Sequence, residues 1–114
     1  MTQEEAIKFM NHIIQEYLAQ KITRIQAREQ VLYSDVTNYV NYEVDLDTDP
    51  NDLLIADCYY TVMHLTHTDY ETTDEEMKYF SECFNGKRIY NMDEKNAMLR
   101  EYYATQKNTN GTAQ

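Results

Sequence analysis

The stretch DPNDLLIADCYYTVMHLTH, residues 49–67, decides the fold. Asp49 can cap a helix, and Pro50 suits the first helical position because its φ is fixed and it has no N–H to lose. Asp52 complements the positive helix end. The next residues are apolar almost all round: Leu53, Leu54, Ile55, Ala56, Cys58, Tyr59, Tyr60, Val62, Met63 and Leu65. A helix without a polar face is covered on several sides. The stretch therefore reads as a central helix ending near His67, with other helices packed around it. Tyr59 and Tyr60 point about 100° apart on such a helix, so one is expected to be buried and the other partly exposed.

Upstream, Thr2 with Glu5 and Thr23 with Gln26 are capping-box pairs. Ile7, Met10, Ile14, Tyr17 and Leu18 recur at helical spacing, giving a first helix over about residues 3–20. After a very short link, Ala27, Val31, Leu32, Val36, Tyr39 and Val40 continue the period as a second helix folded back on the first. From Val40 the pattern turns to strict alternation, with Tyr42, Val44 and Leu46 set between Asn41, Glu43, Asp45 and Asp47. Period two is a strand signal. Two readings stand: a minor two-stranded pairing of 40–46 with 87–92, or a frayed helix end followed by an extended loop.

Downstream, Thr72, Thr73, Asp74, Glu75 and Glu76 start another helix, whose buried stripe is Met77, Phe80, Cys83 and Phe84. Gly86 is its left-handed stop. Asn91, Asp93 and Glu94 start the last helix, with Ala97, Met98, Leu99 and Tyr102 facing inward. The expected fold is all-α: one helical domain over 1–104, a compact bundle of four to five helices, followed by a polar flexible tail over 105–114.

Composition narrows function mainly by exclusion. The chain has 114 residues, net charge −10, 2 Gly and 1 Pro. The charge argues against nucleic acid or an anionic membrane as direct ligand. The glycine and proline counts leave little material for a phosphate-cradling loop or a sandwich. No targeting segment or membrane-spanning run is visible, and two Cys read as reduced thiols, so the expected location is cytoplasmic.

No motif carries catalysis or a cofactor. Asp45, Asp47 and Asp49 alternate as in a calcium loop, but the sixth position from Asp45 is Pro50 and the twelfth is Ala56. Such a loop needs Gly and a bidentate Glu there. Cys58, His64, His67 and Cys83 match no zinc spacing, and both Cys sit in apolar stripes. No nucleophile motif or His-Glu metal helix is present. The chain reads as non-enzymatic, without a metal site.

The charge is unevenly placed. Residues 1–28 carry a net +1 and residues 78–114 a net +2, while residues 29–77 hold 13 acids and no Lys or Arg. A merely soluble surface mixes signs, and concentrated like charge opposes compaction. Tyrosines lie among these acids, and Tyr is favoured at interface hot spots. The expected partner-binding residues are Glu43, Asp45, Asp47, Asp49, Asp52, Asp69 and Glu71 with Tyr42, Tyr59 and Tyr60, extended by Asp74, Glu75 and Glu76. The expected partner is a basic protein, such as a nuclease or another nucleic-acid-binding protein.

At class level such a chain resembles two groups. One is the phage and plasmid antagonists of host defence, anti-restriction and anti-CRISPR proteins, some of which imitate nucleic-acid charge. The other is the immunity proteins of nuclease bacteriocins, acidic helical bundles with a Tyr-Tyr pair near acids. The local resemblance is Asp57-Cys58-Tyr59-Tyr60. It covers four residues and assigns no family. What the classes imply is occlusion of a partner without turnover, with a third alternative of a regulatory or interaction bundle.

Overall fold

The computed structural model describes residues 1–66 and 74–112, with side chains described for 1–66 and 74–105. In that range the chain forms α1 (Gln3–Leu18), α2 (Arg24–Leu32), α3 (Val36–Asn38), a π-helical turn (Tyr39–Glu43), α4 (Pro50–Met63), α5 (Asp74–Phe84) and α6 (Met92–Thr112). The class is all-α, with six helices rather than four to five. No described helix is long and apolar enough to cross a membrane.

Both capping boxes form: Thr2 with Glu5 at α1 and Thr23 with Gln26 at α2. Met10, Ile13 and Ile14 bring the buried stripe of α1 against Ala27 and Val31 of α2 and Met77 and Phe80 of α5. α1 packs most extensively on α5 and also touches α2 and α4. Leu54, Ile55, Cys58, Tyr59 and Val62 of α4 lie in the same core, as a helix apolar all round requires. Tyr59 is buried and Tyr60 is half-exposed.

The extra helix arises because the second expected helix breaks at Tyr33–Asp35. The Ser34 hydroxyl donates to the Val31 carbonyl at 2.7 Å, and the Thr37 hydroxyl lies 3.1 Å from the Val31 oxygen and 3.0 Å from that of Leu32. Side-chain hydroxyls thus take over carbonyls that a continuing helix would bond.

The strand alternative over 40–46 and 87–92 is not formed; the described residues contain no strand. The ladder donors are used elsewhere. The Val44 N–H closes a π-type bond on the Tyr39 carbonyl at 3.0 Å, and the Asp45 N–H goes to an Asp52 carboxylate oxygen at 2.9 Å. The alternating residues share no face: Val40 is buried, whereas Tyr42 and Leu46 are exposed.

Two boundaries also differ from expectation. α4 ends at Met63, three residues past Tyr60, with His64 as its C-cap. The expected tail over 105–114 begins as a continuation of α6, whose backbone is helical through Thr112. No proline interrupts it, and i→i−4 bonding requires no buried face. His67 and the capping pairs expected at Thr72 and Thr73 lie outside the described residues.

The α6 stripe keeps Leu99, with Met98 and Tyr102 half-buried, and departs from the expected one at Ala97 and Lys95. Ala97 is exposed, and the buried positions are Leu99 and Lys95. Lys95 is only 4% exposed. Its ammonium donates to Asp57 of α4 at 2.7 Å and to Glu76 of α5 at 2.9 Å, and it stands over the Phe80 ring. Burial pulls the Lys95 pKa down, but the bonds and charges of the two carboxylates more than reverse this, so the net shift is upward. The Tyr90 hydroxyl joins the cluster, donating to Asp57 at 2.6 Å. Replacing Lys95 alone leaves two carboxylates facing each other out of water. Lys95→Met is expected to cost about 3–5 kcal/mol in urea unfolding, and adding Asp57→Asn and Glu76→Gln to it should restore most of that loss.

α1 and α5 both end in Schellman motifs. At α5, Gly86 has φ 73°, with its N–H on the Cys83 carbonyl and the Lys87 N–H on that of Glu82. At α1 the equivalent left-handed residue is Gln20, φ 62°, with the matching bonds from Gln20 to Tyr17 and from Lys21 to Glu16. A side chain in this region costs roughly 1–2 kcal/mol, partly balanced by the larger unfolded-state entropy of Gly. Gln20→Gly should therefore stabilise the fold by about 0.5–1 kcal/mol, read as a raised denaturation midpoint at unchanged slope.

Candidate functional site

The acidic stretch at 43–52 is organised around Asp52. This carboxylate is only 4% exposed and accepts three donors. One oxygen takes the Tyr39 hydroxyl and the Gln3 amide at 3.0 Å, and the other takes the Asp45 N–H. Burial pushes the Asp52 pKa up, and the hydrogen bonds outweigh it, leaving the carboxyl below its ordinary value. The same arrangement, with burial as its main cause, pushes the Tyr39 hydroxyl far above the usual range.

Its neighbours divide between internal and external tasks. Asp49 caps α4, accepting from the Asn51 and Asp52 N–H groups at 3.0 and 3.3 Å, and its second oxygen accepts from Gln3 at 2.8 Å. Asp45 closes a turn, accepting from the Asp47 and Thr48 N–H groups and the Thr48 hydroxyl. The Thr48 hydroxyl, then these N–H groups, hold the Asp45 carboxyl below its ordinary value. Asp45 remains exposed, as do Asp47 and Glu43.

Two hollows border this loop. One is an open groove of about 330 Å³ between the start of α4 and the strap 90–93. Its apolar walls are Leu46, Pro50, Leu53, Tyr90 and Met92, and its carboxylates are Asp47, Asp49 and Asp93; no Lys or Arg lines it. The other, of about 310 Å³, is lined by Met1, Asp35, Asn38, Tyr39, Tyr42 and Glu43. Tyr39 forms a wall of the second hollow and, through Asp52, holds the loop that walls the first.

Of the expected binding residues, the fold brings Glu43, Asp45, Asp47, Asp49 and Tyr42 into this one region. Asp52 lies beneath it as a support. Tyr59 is a core residue whose hydroxyl donates to Thr37 at 3.2 Å. Tyr60 packs edge-on against the Tyr59 ring and sits about 15 Å along α4 from Pro50, at 1.5 Å per residue. Asp69 and Glu71 lie outside the described residues. The expected acidic extension is engaged within the molecule: Asp74 accepts from the Tyr17 hydroxyl, Glu75 pairs with Lys78, and Glu76 pairs with Lys95.

The strap supplies site residues that sequence reasoning missed: Tyr90, Met92 and Asp93. Tyr79 and Asn91 exchange hydrogen bonds at 3.1 and 2.9 Å and fix it. Among the described residues no three His, Cys, Asp or Glu are grouped to hold a metal ion. Cys58 is fully buried, and burial pushes its thiol well up, away from the thiolate form that nucleophilic chemistry uses.

Compared with known proteins, the sequence matches no family model, and no curated protein or solved structure matches it.

Because Asp52 titrates at a lowered pKa in the folded chain, its contribution is full above the ordinary carboxyl value of about 4 and fades as pH falls through the lowered one. Asp52→Asn removes that charge and turns an amide toward donors. The variant should lie about 2–3 kcal/mol below wild type at neutral pH, with the gap shrinking in denaturation series taken toward strong acid. A gap constant with pH contradicts the assignment.

Proposed function

We propose that this chain is a non-enzymatic binding protein that inhibits a basic, nucleic-acid-handling partner by occluding it. The observation that supports this most is the exposed surface at 42–49. There the exposed Glu43, Asp45 and Asp47 and the half-buried Asp49 stand beside Tyr42, which is 80% exposed, and Leu46, which is 50% exposed. Carboxylates steer a basic partner and suppress wrong ones. Exposed aromatic and aliphatic groups supply the contact area that holds it. Internal hydrogen bonds fix Asp45 and Asp49 in place, so little freedom is lost on docking. In biological terms this reading is that of a mobile-element antagonist of host defence, anti-restriction or anti-CRISPR in type.

A second reading, the immunity protein of a nuclease toxin, is favoured by Tyr42 beside Glu43. An aromatic flanked by acids is the composition of a single dominant hot spot. The two readings differ in ranking: for an immunity protein Tyr42→Ala weakens the complex more than any one acid-to-Ala change, and for a charge mimic the order reverses.

The surface is tested with residues that bear no internal load, which excludes Asp45 and Asp49 as turn and cap. Glu43→Lys with Asp47→Lys should leave the melting curve of the protein nearly unchanged. It should reduce capture of a basic protein from host lysate at low salt by at least about tenfold, and relieve inhibition of that protein's nucleic-acid binding. Full capture and inhibition by the double variant would sink the reading.

A further inference from the structure

The groove between the start of α4 and the strap has a composition that specifies its occupant. Leu46, Leu53 and Met92 give it an apolar wall, and Leu46 and Met92 remain 50% and 39% exposed. Asp47, Asp49 and Asp93 stand around that wall. At about 330 Å³ the groove lies at the small end of binding pockets, which run from roughly 300 to 1,000 Å³. That size suits one large apolar side chain rather than the face of a helix.

Electrostatics select what surrounds that side chain. The N-termini of α4 and α6 both reach the groove, and a helix N-terminus carries about half a positive charge. Two of them offset about one of the three carboxylates, so a surplus of negative charge remains. The α4 terminus is also already satisfied by Asp49, and Asn91 accepts the Glu94 N–H at the start of α6. An anionic ligand is therefore disfavoured, and a cation is favoured next to an apolar group.

We infer that this groove is the seat for an apolar anchor residue flanked by lysine or arginine in a segment of the basic partner. The inference rests on the binding reading above and deepens it by naming what the partner inserts. Its walls are prebuilt. Asp52 holds the loop side through the Asp45 N–H, and Asp57 holds the strap side through the Tyr90 hydroxyl. The anchor supplies affinity by burying apolar surface, and the flanking cations supply orientation and salt dependence.

The test uses the full chain and short synthetic peptides of lysine and glycine around one central leucine. A matched peptide has serine at the centre, and a third has glutamate in place of lysine. Binding is read by fluorescence anisotropy at low and moderate salt, alongside Leu46→Ser with Met92→Ser, a pair of exposed wall positions whose variant is checked for an unchanged melting curve. The leucine peptide should bind about tenfold or more tightly than the serine peptide. The wall variant should abolish that preference while leaving the weak binding of the serine peptide in place, and the glutamate peptide should not bind. Equal binding of leucine and serine peptides overturns the inference, as does a preference that survives in the wall variant. Sedimentation showing that this groove pairs two copies of the chain, with the wall variant monomeric, overturns it as well. If the peptides fail to discriminate while Glu43→Lys with Asp47→Lys still loses the partner, the anchor is wrong and the acidic surface stands. If that double variant keeps the partner, the binding reading itself fails.

Discussion

A lysine ammonium held out of water between two carboxylates is the constraint on which the second half of the molecule depends. Desolvating each of these ions costs several kcal/mol, and only close pairing offsets it. Lys95 meets that condition by reaching Asp57 on α4 and Glu76 on α5 at once. One side chain thereby sets the register of three helices, because sliding any of them strands a charge. Apolar contacts alone would tolerate several such arrangements, since burial is proportional to area and has no direction. The Asp57 oxygen that accepts from Lys95 also accepts from Tyr90, so the same ion cluster fixes the strap before α6.

Asp52 does for the first half what Asp57 does for the second. It binds residues from the start of α1, the π-helical turn and the loop before α4. Three segments distant in sequence are thus tied to one buried carboxylate. The two networks flank the groove, one behind each wall. The rigid surface near residues 42–53 is in this sense a product of internal polar chemistry, and the hydrophobic core beneath it supplies the stability that such networks by themselves do not.

Much of this was legible in the sequence. The capping boxes at Thr2 and Thr23, the Asp49-Pro50 helix start, the all-apolar α4 and the Gly86 stop are local signals, and local hydrogen bonding settled them. The alternation over 40–46 misled because a strand needs a partner. The Val44 N–H had gone to the Tyr39 carbonyl and the Asp45 N–H to the Asp52 carboxylate, seven residues away. Two further signals were present and unused. Asp57 is the one formally charged residue between Leu53 and Thr66, and a lone acid on an apolar helix calls for a buried counter-charge. Lys95 stands three and four residues before Met98 and Leu99, on their stripe, where an ordinary solvated lysine would not be. The strap at 90–93 was not legible, because its place depends on Tyr79 and Asp57, distant in sequence.

The distribution of charge changes meaning when it is folded. Along the chain, 13 acids follow one another without a base. In space, Asp57 and Glu76 face Lys95, Glu75 faces Lys78, Asp74 accepts from Tyr17, Asp52 is internal, and Asp47 and Asp49 lie by the start of α4. An unbroken track of phosphate-like charges is therefore not what the described surface offers. Isolated exposed carboxylates contribute little each, roughly 0.2–1 kcal/mol, and salt screens them beyond about 8–10 Å. Affinity for a basic partner would have to come from Tyr42, Leu46 and Met92, the large groups left in water among those acids. The carboxylates would set the rate of encounter and the choice of partner. A surface that divides the work in this way selects for a basic segment with an apolar residue in it, and discriminates against charge alone.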